Sequence, residues 1–241
     1  GAGTSAPSKD NPDNDPYKKW PADYRANSNN PHLAAQLREV DEGVGNIIRK
    51  LEEKGLLNNT LIVFTSDNGG ETNVTSNAPL RDGKSSQYEG GLRIAKIVYY
   101  PPEIPRGKVI DESVVTYDYL PTFCEMLNAD ENELFQKPDG VSLWSLWTGK
   151  TNRVQERALY WHYPVDKPHF LGGRSSAAIR SGDWKLIQFY DSRTLELYNL
   201  KKDIGESDNL VTQYPDITDQ LLKKLDAWRE DVGAVVPQEQ N

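Results

Sequence analysis

A short apolar run that ends in turn residues limits this chain more than any other feature. Leu61-Ile62-Val63-Phe64 is continuously apolar, the pattern of a strand covered on both faces, and it gives way to Thr65-Ser66-Asp67-Asn68-Gly69-Gly70. A second such run, Ile94 to Tyr100, is closed by Pro101-Pro102. Upstream, Leu33, Leu37, Val40, Val44, Ile47, Ile48 and Leu51 recur at helical spacing, with Asn30 placed to cap, Pro31 in the first turn and Gly55 as the stop. That predicts an amphipathic helix with one buried stripe. A helix, a buried strand, a long loop and another strand predict an α/β core, with Asp67 and Asn68 at the mouth of a parallel sheet, where such folds collect ligands.

Further along, Asp118 is placed to cap a helix over Tyr119 to Leu127. After about residue 150 the pattern shifts to short strands at Ala158 to Tyr163, Ser176 to Arg180, Trp184 to Tyr190 and Leu195 to Asn199. Ser181-Gly182-Asp183 and Asp191-Ser192-Arg193 separate them as turns, which predicts an antiparallel sheet. A last helix over about Pro215 to Asp231 carries Ile217, Leu221, Leu222, Leu225 and Trp228 on one face. One helix on a small antiparallel sheet makes an α+β subdomain. Residues 1–30 are rich in Pro, Asn, Asp and Ser, with Tyr17, Trp20 and Tyr24 as their large apolar anchors, and read as an extended arm. The expected organisation is therefore an arm over 1–30, an α/β core part over 31–152 and the α+β subdomain over 153–241.

The chain has 241 residues, 37% of them hydrophobic, enough for a real core. Its net charge of −8 arises without long runs of one sign, which argues against a nucleic-acid partner. No stretch approaches the roughly 20 apolar residues of a membrane span. The single cysteine, Cys124, sits in an apolar stretch and reads as a packing residue rather than a metal or disulfide ligand.

The turn residues carry the chemistry. Asp67 and Asn68 both offer side-chain oxygen, the donor that hard cations such as Ca²⁺ or Mg²⁺ take, although Asp-Asn-Gly is also a common turn. The loop Pro79 to Arg93 presents Arg81, Lys84 and Arg93 on a backbone rich in Gly and Ser. A cation site beside a basic loop suits a tetrahedral anion; the alternative is a solvated connection. His32 reads as a capping or surface residue. His162 and His169 stand among Trp161, Tyr163 and Phe170, a mixture that suits either a sugar or aryl pocket or internal packing. Asn58-Asn59-Thr60 and Asn73-Val74-Thr75 match the glycosylation pattern.

Taken in order, "NTLIVFTSDNGG", "PLRDGKSSQYEGGLR", "YDYLPTF", "DGVSLW" and "AAIRSGDWKLI…LELYNLKKDIGESDNL" resemble the type I sulfatases of the alkaline-phosphatase superfamily. The resemblance covers about residues 31–231. It implies sulfate-ester hydrolysis with bound Ca²⁺ and a formylglycine nucleophile made from Cys or Ser. By the same resemblance Asp67 and Asn68 match two calcium ligands, and Lys84 matches the lysine that contacts the sulfate and bridging oxygen. The small subdomain of such enzymes completes the substrate cleft, which makes His162 and Arg174 candidate substrate contacts, and the basic loop adds Arg81. The expected partners are a sulfated small molecule or glycan and a sulfatase half that precedes the Asp-Asn-Gly strand. That half carries the nucleophile motif, further carboxylate ligands and catalytic histidines, and only 66 residues precede Asp67 here.

Ser5-Ala6-Pro7-Ser8-Lys9 has Lys where the nucleophile motif has Arg, and lies too close to Asp67. Ser85 and Ala95 replace a customary Gly and Pro. The chain alone is therefore expected to bind Ca²⁺ weakly and to hydrolyse no sulfate ester, and the family suggests a periplasmic, extracellular or lysosomal setting. Two rivals stand beside this reading: a related phosphodiesterase, phosphatase or phosphonate hydrolase, and a non-catalytic module that recognises sulfated glycans.

Overall fold

The computed structural model describes residues 30–169 and 171–237. The arm read over 1–30 falls outside the described residues except for Asn30, as does Phe170. By its internal packing the described chain forms two compact units, interleaved in sequence: residues 43–65 with 95–156, and residues 30–42 with 66–94 and 157–237.

Helix α1 (Pro31–Glu53) begins where the sequence places it. The Asn30 side-chain oxygen accepts the His32 and Leu33 amides at 3.0 and 3.2 Å, and Gly55 ends the helix with φ of 67°. The apolar stripe is not buried: no residue of α1 is, and Leu37 and Ile47 are 59% and 61% exposed. Periodicity fixes which face of a helix is apolar; it does not supply the surface that covers it.

In the first unit β1 (Ile62–Thr65) pairs with β2 (Lys96–Tyr99), and the pair is antiparallel, in place of the expected parallel sheet. Nor are both faces covered. Leu61 and Val98 pack against Leu143, Trp144, Leu146 and Trp147, whereas Phe64 and Ile97, directly opposite in register, are both exposed. Apolar content thus marked a sheet, while strand direction follows from the connection and is not written in side-chain character. Helix α2 (Glu89–Leu92) belongs to the other unit; α3 (Tyr119–Leu127) and α4 (Trp144–Trp147) belong to this one. Asp118 is fully buried but makes no side-chain cap on α3. It accepts the Val115 and Val141 amides at 2.9 and 3.1 Å, tying two loops to the helix start. Cys124 is buried and free.

The second unit is built on four antiparallel strands in the order β3 (Ala158–Tyr163), β4 (Ser176–Ser181), β5 (Trp184–Phe189) and β6 (Leu195–Asn199). Helix α5 (Pro215–Asp231) lays Leu221 and Leu225 on Ala177, Ile179, Leu186 and Leu197. The opposite face holds Ala178, Ile187, Phe189 and Tyr198, against which Tyr88 and Trp161 pack. The segment 66–94, with the Asp-Asn-Gly turn and the basic loop, is part of this unit.

Candidate active site

Glycines fasten the turn to the basic loop. The Gly69 amide donates to the Gly91 carbonyl at 3.0 Å, the Lys84 amide donates to the Gly70 carbonyl at 3.0 Å, and the Gly90 amide donates to the Arg81 carbonyl at 2.9 Å. A Cβ on Gly69 would lie 1.7 Å from the Gly90 carbonyl oxygen, and one on Gly83 would lie 2.2 Å from that of Gly70. Only residues without side chains let these backbones meet. Asn77 completes the knot, accepting from the Gly70 amide at 3.0 Å and donating to the Gly70 and Asp82 carbonyls at 2.7 and 3.0 Å. Lys84 is therefore held, through its own backbone, two residues beyond the acid-amide pair. Its side chain and Asp67 are exposed, and Asn68 is half-buried. Burial raises the pKa of the neighbouring Glu71, and the Lys84 ammonium partly offsets the rise.

Arg81 turns the other way. Its guanidinium donates to the Tyr198 hydroxyl at 2.9 Å and the Glu206 carbonyl at 2.7 Å, and it lies over the Tyr88 ring at 3.9 Å. The Tyr88 and Tyr198 hydroxyls both donate to Glu196, at 2.6 and 2.7 Å. Burial first, and then this carboxylate, push both phenols well above their usual range. Beneath them lies a charged cluster that the sequence reading did not single out. Lys185, fully buried on β5, meets Glu89 at 3.0 Å and Glu206 at 2.8 Å, and the Glu89 amide donates to Glu206 at 2.6 Å. A lone lysine in the apolar strand Trp184-Lys185-Leu186-Ile187 is the one trace of it in the sequence.

Arg174 and His162 stand at a different place, beside a cavity of about 500 Å³ whose walls include Ser175, Gln188, Tyr190 and Arg229. Arg174 grips the Asp191 carboxylate with two nitrogens at 2.6 and 3.0 Å and stacks on Phe189 at 4.1 Å. That guanidinium holds the Asp191 carboxyl below its usual range. His162 meets the Tyr190 hydroxyl at 2.7 Å and the Val235 carbonyl at 3.0 Å. The buried Ser175 hydroxyl has no hydrogen-bond partner among the described residues. The loop that carries these groups touches the basic loop at one point, since a Cβ on Gly173 would lie 2.0 Å from the Ser85 carbonyl oxygen.

Comparison with known proteins decides the family. Residues 6–129 match the sulfatase family model, and residues 82–231 match that of the C-terminal part of N-sulphoglucosamine sulphohydrolase. The chain belongs to the sulfatase family. A sulfatase of Formosa agariphila is 33% identical over 214 residues, covering 81% of this chain and 39% of that protein. The crystal structure of Ps i-CgsB in complex with k-i-k-neocarrahexaose aligns with a TM-score of 0.67 and 31% identity, over 78% of this chain and 40% of that one. BT4656, solved with its substrate D-glucosamine-2-N,6-O-disulfate, aligns with a TM-score of 0.67 and 26% identity, over 85% of this chain and 41% of that one. This sulfatase chain thus spans about two fifths of the length of the relatives it matches.

The donor set of the acid-amide turn bears on whether a cation fits there. Asp67 and Asn68 bring a carboxylate and an amide to one turn, and one Asp67 oxygen accepts the Asn68 amide at 2.9 Å, leaving the other for a ligand. Both donors are oxygens, as a hard cation needs, but calcium takes about 6 to 8 of them. Among the described residues no group of three or more His, Cys, Asp or Glu side chains is arranged to hold a metal. The pair fits as part of a calcium shell and not as a whole one. Among the described residues, too, no helix of this sulfatase chain is long and apolar enough to cross a membrane.

Proposed function

We propose that this chain is the carboxy-terminal portion of a sulfatase that hydrolyses aryl or carbohydrate sulfate esters, its α/β part over residues 31–152 and its α+β part over 153–241. Asp67 and Asn68 supply two oxygens to Ca²⁺, which, when bound, offsets negative charge on the sulfate group. Lys84 donates to the sulfate and the departing oxygen as charge builds there. The formylglycine nucleophile and the remaining ligands lie outside these 241 residues, so the chain alone neither turns over sulfate esters nor binds calcium tightly. Arg81 steadies the basic loop, and the substrate's organic part extends past Arg174 and His162. The enzyme works in a periplasmic, extracellular or lysosomal compartment.

The observation that supports this reading is the hydrogen bond from the Lys84 amide to the Gly70 carbonyl at 3.0 Å, which holds the Lys84 backbone two residues from the acid-amide pair. The test is made on the complete enzyme with an aryl sulfate. Lys84→Ala lowers kcat by about 10²–10³, the size of a lost charge-stabilising donor. Asp67→Asn raises the calcium concentration needed for half-maximal rate. A Lys84→Ala enzyme with wild-type kcat overturns the reading.

A further inference from the structure

Lys84 lies between two points at which one glutamate grips the loop. At its start, the Arg81 guanidinium donates to the backbone carbonyl of Glu206 at 2.7 Å. At its end, the Glu89 amide donates to the carboxylate of the same residue at 2.6 Å. Glu206 is fully buried and takes φ of 51°, in the left-handed region that a residue with a side chain adopts only when its surroundings enforce it. Its side chain is seated by Lys185, fully buried, whose ammonium meets Glu206 at 2.8 Å and Glu89 at 3.0 Å. Arg180 reaches the second Glu89 oxygen at 3.5 Å. Two carboxylates and an ammonium have been taken out of water together, an arrangement that an apolar contact of the same volume would match or exceed in stability. Its distinctive property is that it is geometrically unforgiving: the loop end at Glu89 cannot shift without leaving a buried charge unpaired, while the end at Arg81 is held to the Glu206 backbone.

We propose that Glu206, seated by Lys185 and Glu89, is the positioning residue for Lys84: it pins both ends of the 81–89 loop so that the ammonium is presented beside the Asp67–Asn68 turn. The proposal rests on the role given to Lys84 above and adds the device that holds it. Glu206 touches no substrate; it acts through the loop.

The test uses the 241-residue chain and reads loop geometry without turnover. In Glu206→Gln one carboxylate oxygen becomes an NH2, which sets a donor against either the Lys185 ammonium or the Glu89 amide. Hydrogen exchange of the Lys84, Gly90 and Gly91 amides then quickens by about tenfold or more, while β4 and β5 amides keep their protection. The second readout is the Glu71 carboxyl, titrated by carbon NMR, because burial raises its pKa and Lys84 offsets part of that rise. Lys84→Met moves that titration upward, and Glu206→Gln moves it the same way if the clamp sets where Lys84 stands. Should Glu206→Gln fail to fold, Lys185→Met/Glu206→Gln removes one charge of each sign and gives the same two readings.

A folded variant with wild-type Glu71 titration and unchanged loop exchange overturns the clamp. That outcome is separate from the sulfatase reading, which falls only if Lys84→Ala leaves the complete enzyme's kcat unaltered.

Discussion

Two sheets in this molecule are treated differently by their surroundings. The four-stranded sheet is covered on one face by α5, through Leu221 and Leu225, and on the other by residues that include Tyr88 and Trp161. The β1–β2 ladder is covered on one face by the Trp144 and Trp147 cluster and shows Phe64 and Ile97 to solvent on the other. Each ladder also holds a lysine. Lys185 is clasped by two carboxylates, whereas the Lys96 ammonium lies over the Tyr119 ring at 4.5 Å and has no hydrogen-bond partner among the described residues. The first sheet is therefore a finished object within the chain, where a change in either face or in its charges is costly. The second tolerates change on its open face.

The largest effect expected from this contrast comes from the lysines. Lys185→Met strands two buried carboxylates and costs about 3–5 kcal/mol, read as a drop in the urea midpoint. Lys96→Met loses one cation–ring contact and costs less than about 1 kcal/mol. Equal costs would show that the two sheets are not distinguished by their charges. Next in size is a pair of apolar truncations. Leu225→Ala opens a cavity against Ile179 and Leu186 and costs about 2–5 kcal/mol. Ile97→Ala, at a site 63% exposed, changes stability by about 0.5 kcal/mol or less. Smaller again is Gly90→Ala, whose Cβ would lie 2.3 Å from the Asp82 carbonyl oxygen and 2.4 Å from that of Arg81. Forcing those backbones apart costs about 1–3 kcal/mol and quickens exchange in the basic loop before it affects β4 or β5.

How legible these regions were in the sequence follows the same division. The strands of the small sheet and α5 were readable because short strands with clear turns and a strong helical stripe are local signals; Gly182, with φ of 58°, sits in the turn that Ser181-Gly182-Asp183 announced. The acid-amide turn and the basic loop were readable as irregular turn-forming segments. Their fastening was foreshadowed only by the abundance of glycine. The β1–β2 direction was not readable, because hydrogen-bond polarity leaves no mark on side-chain character, and the exposure of the α1 stripe was not, because a period says nothing of what covers it. Asp118 was misread as a cap because loop-tying and capping draw on the same residue types. The Glu89, Lys185 and Glu206 cluster escaped because its members are joined over separations of 96 and 117 residues, where single-sequence pattern carries no pairing signal. Arg174 was expected at a substrate contact; the structure shows it holding Asp191.

That ion pair gives the smallest and most pH-specific effect. Arg174 and Asp191 are each more than a third exposed, so solvent screens the pair and Arg174→Met costs only about 0.5 kcal/mol near pH 7. The sign is fixed by the direction of the shift. Hydrogen bonding and charge from Arg174 lower the folded-state pKa of Asp191, so this stabilisation is fully present above the ordinary aspartate value and fades as pH falls through the depressed one. Thermal unfolding of wild type and Arg174→Met, followed from neutral pH down into the acid range, should show a small gap in Tm that closes on the acid side. Part of any residual gap belongs to the stacking of the guanidinium on Phe189, which does not titrate. A gap that widens with acidification would mean that the pair is not what ties this edge of the covered sheet, and that its finish depends on the apolar contacts alone.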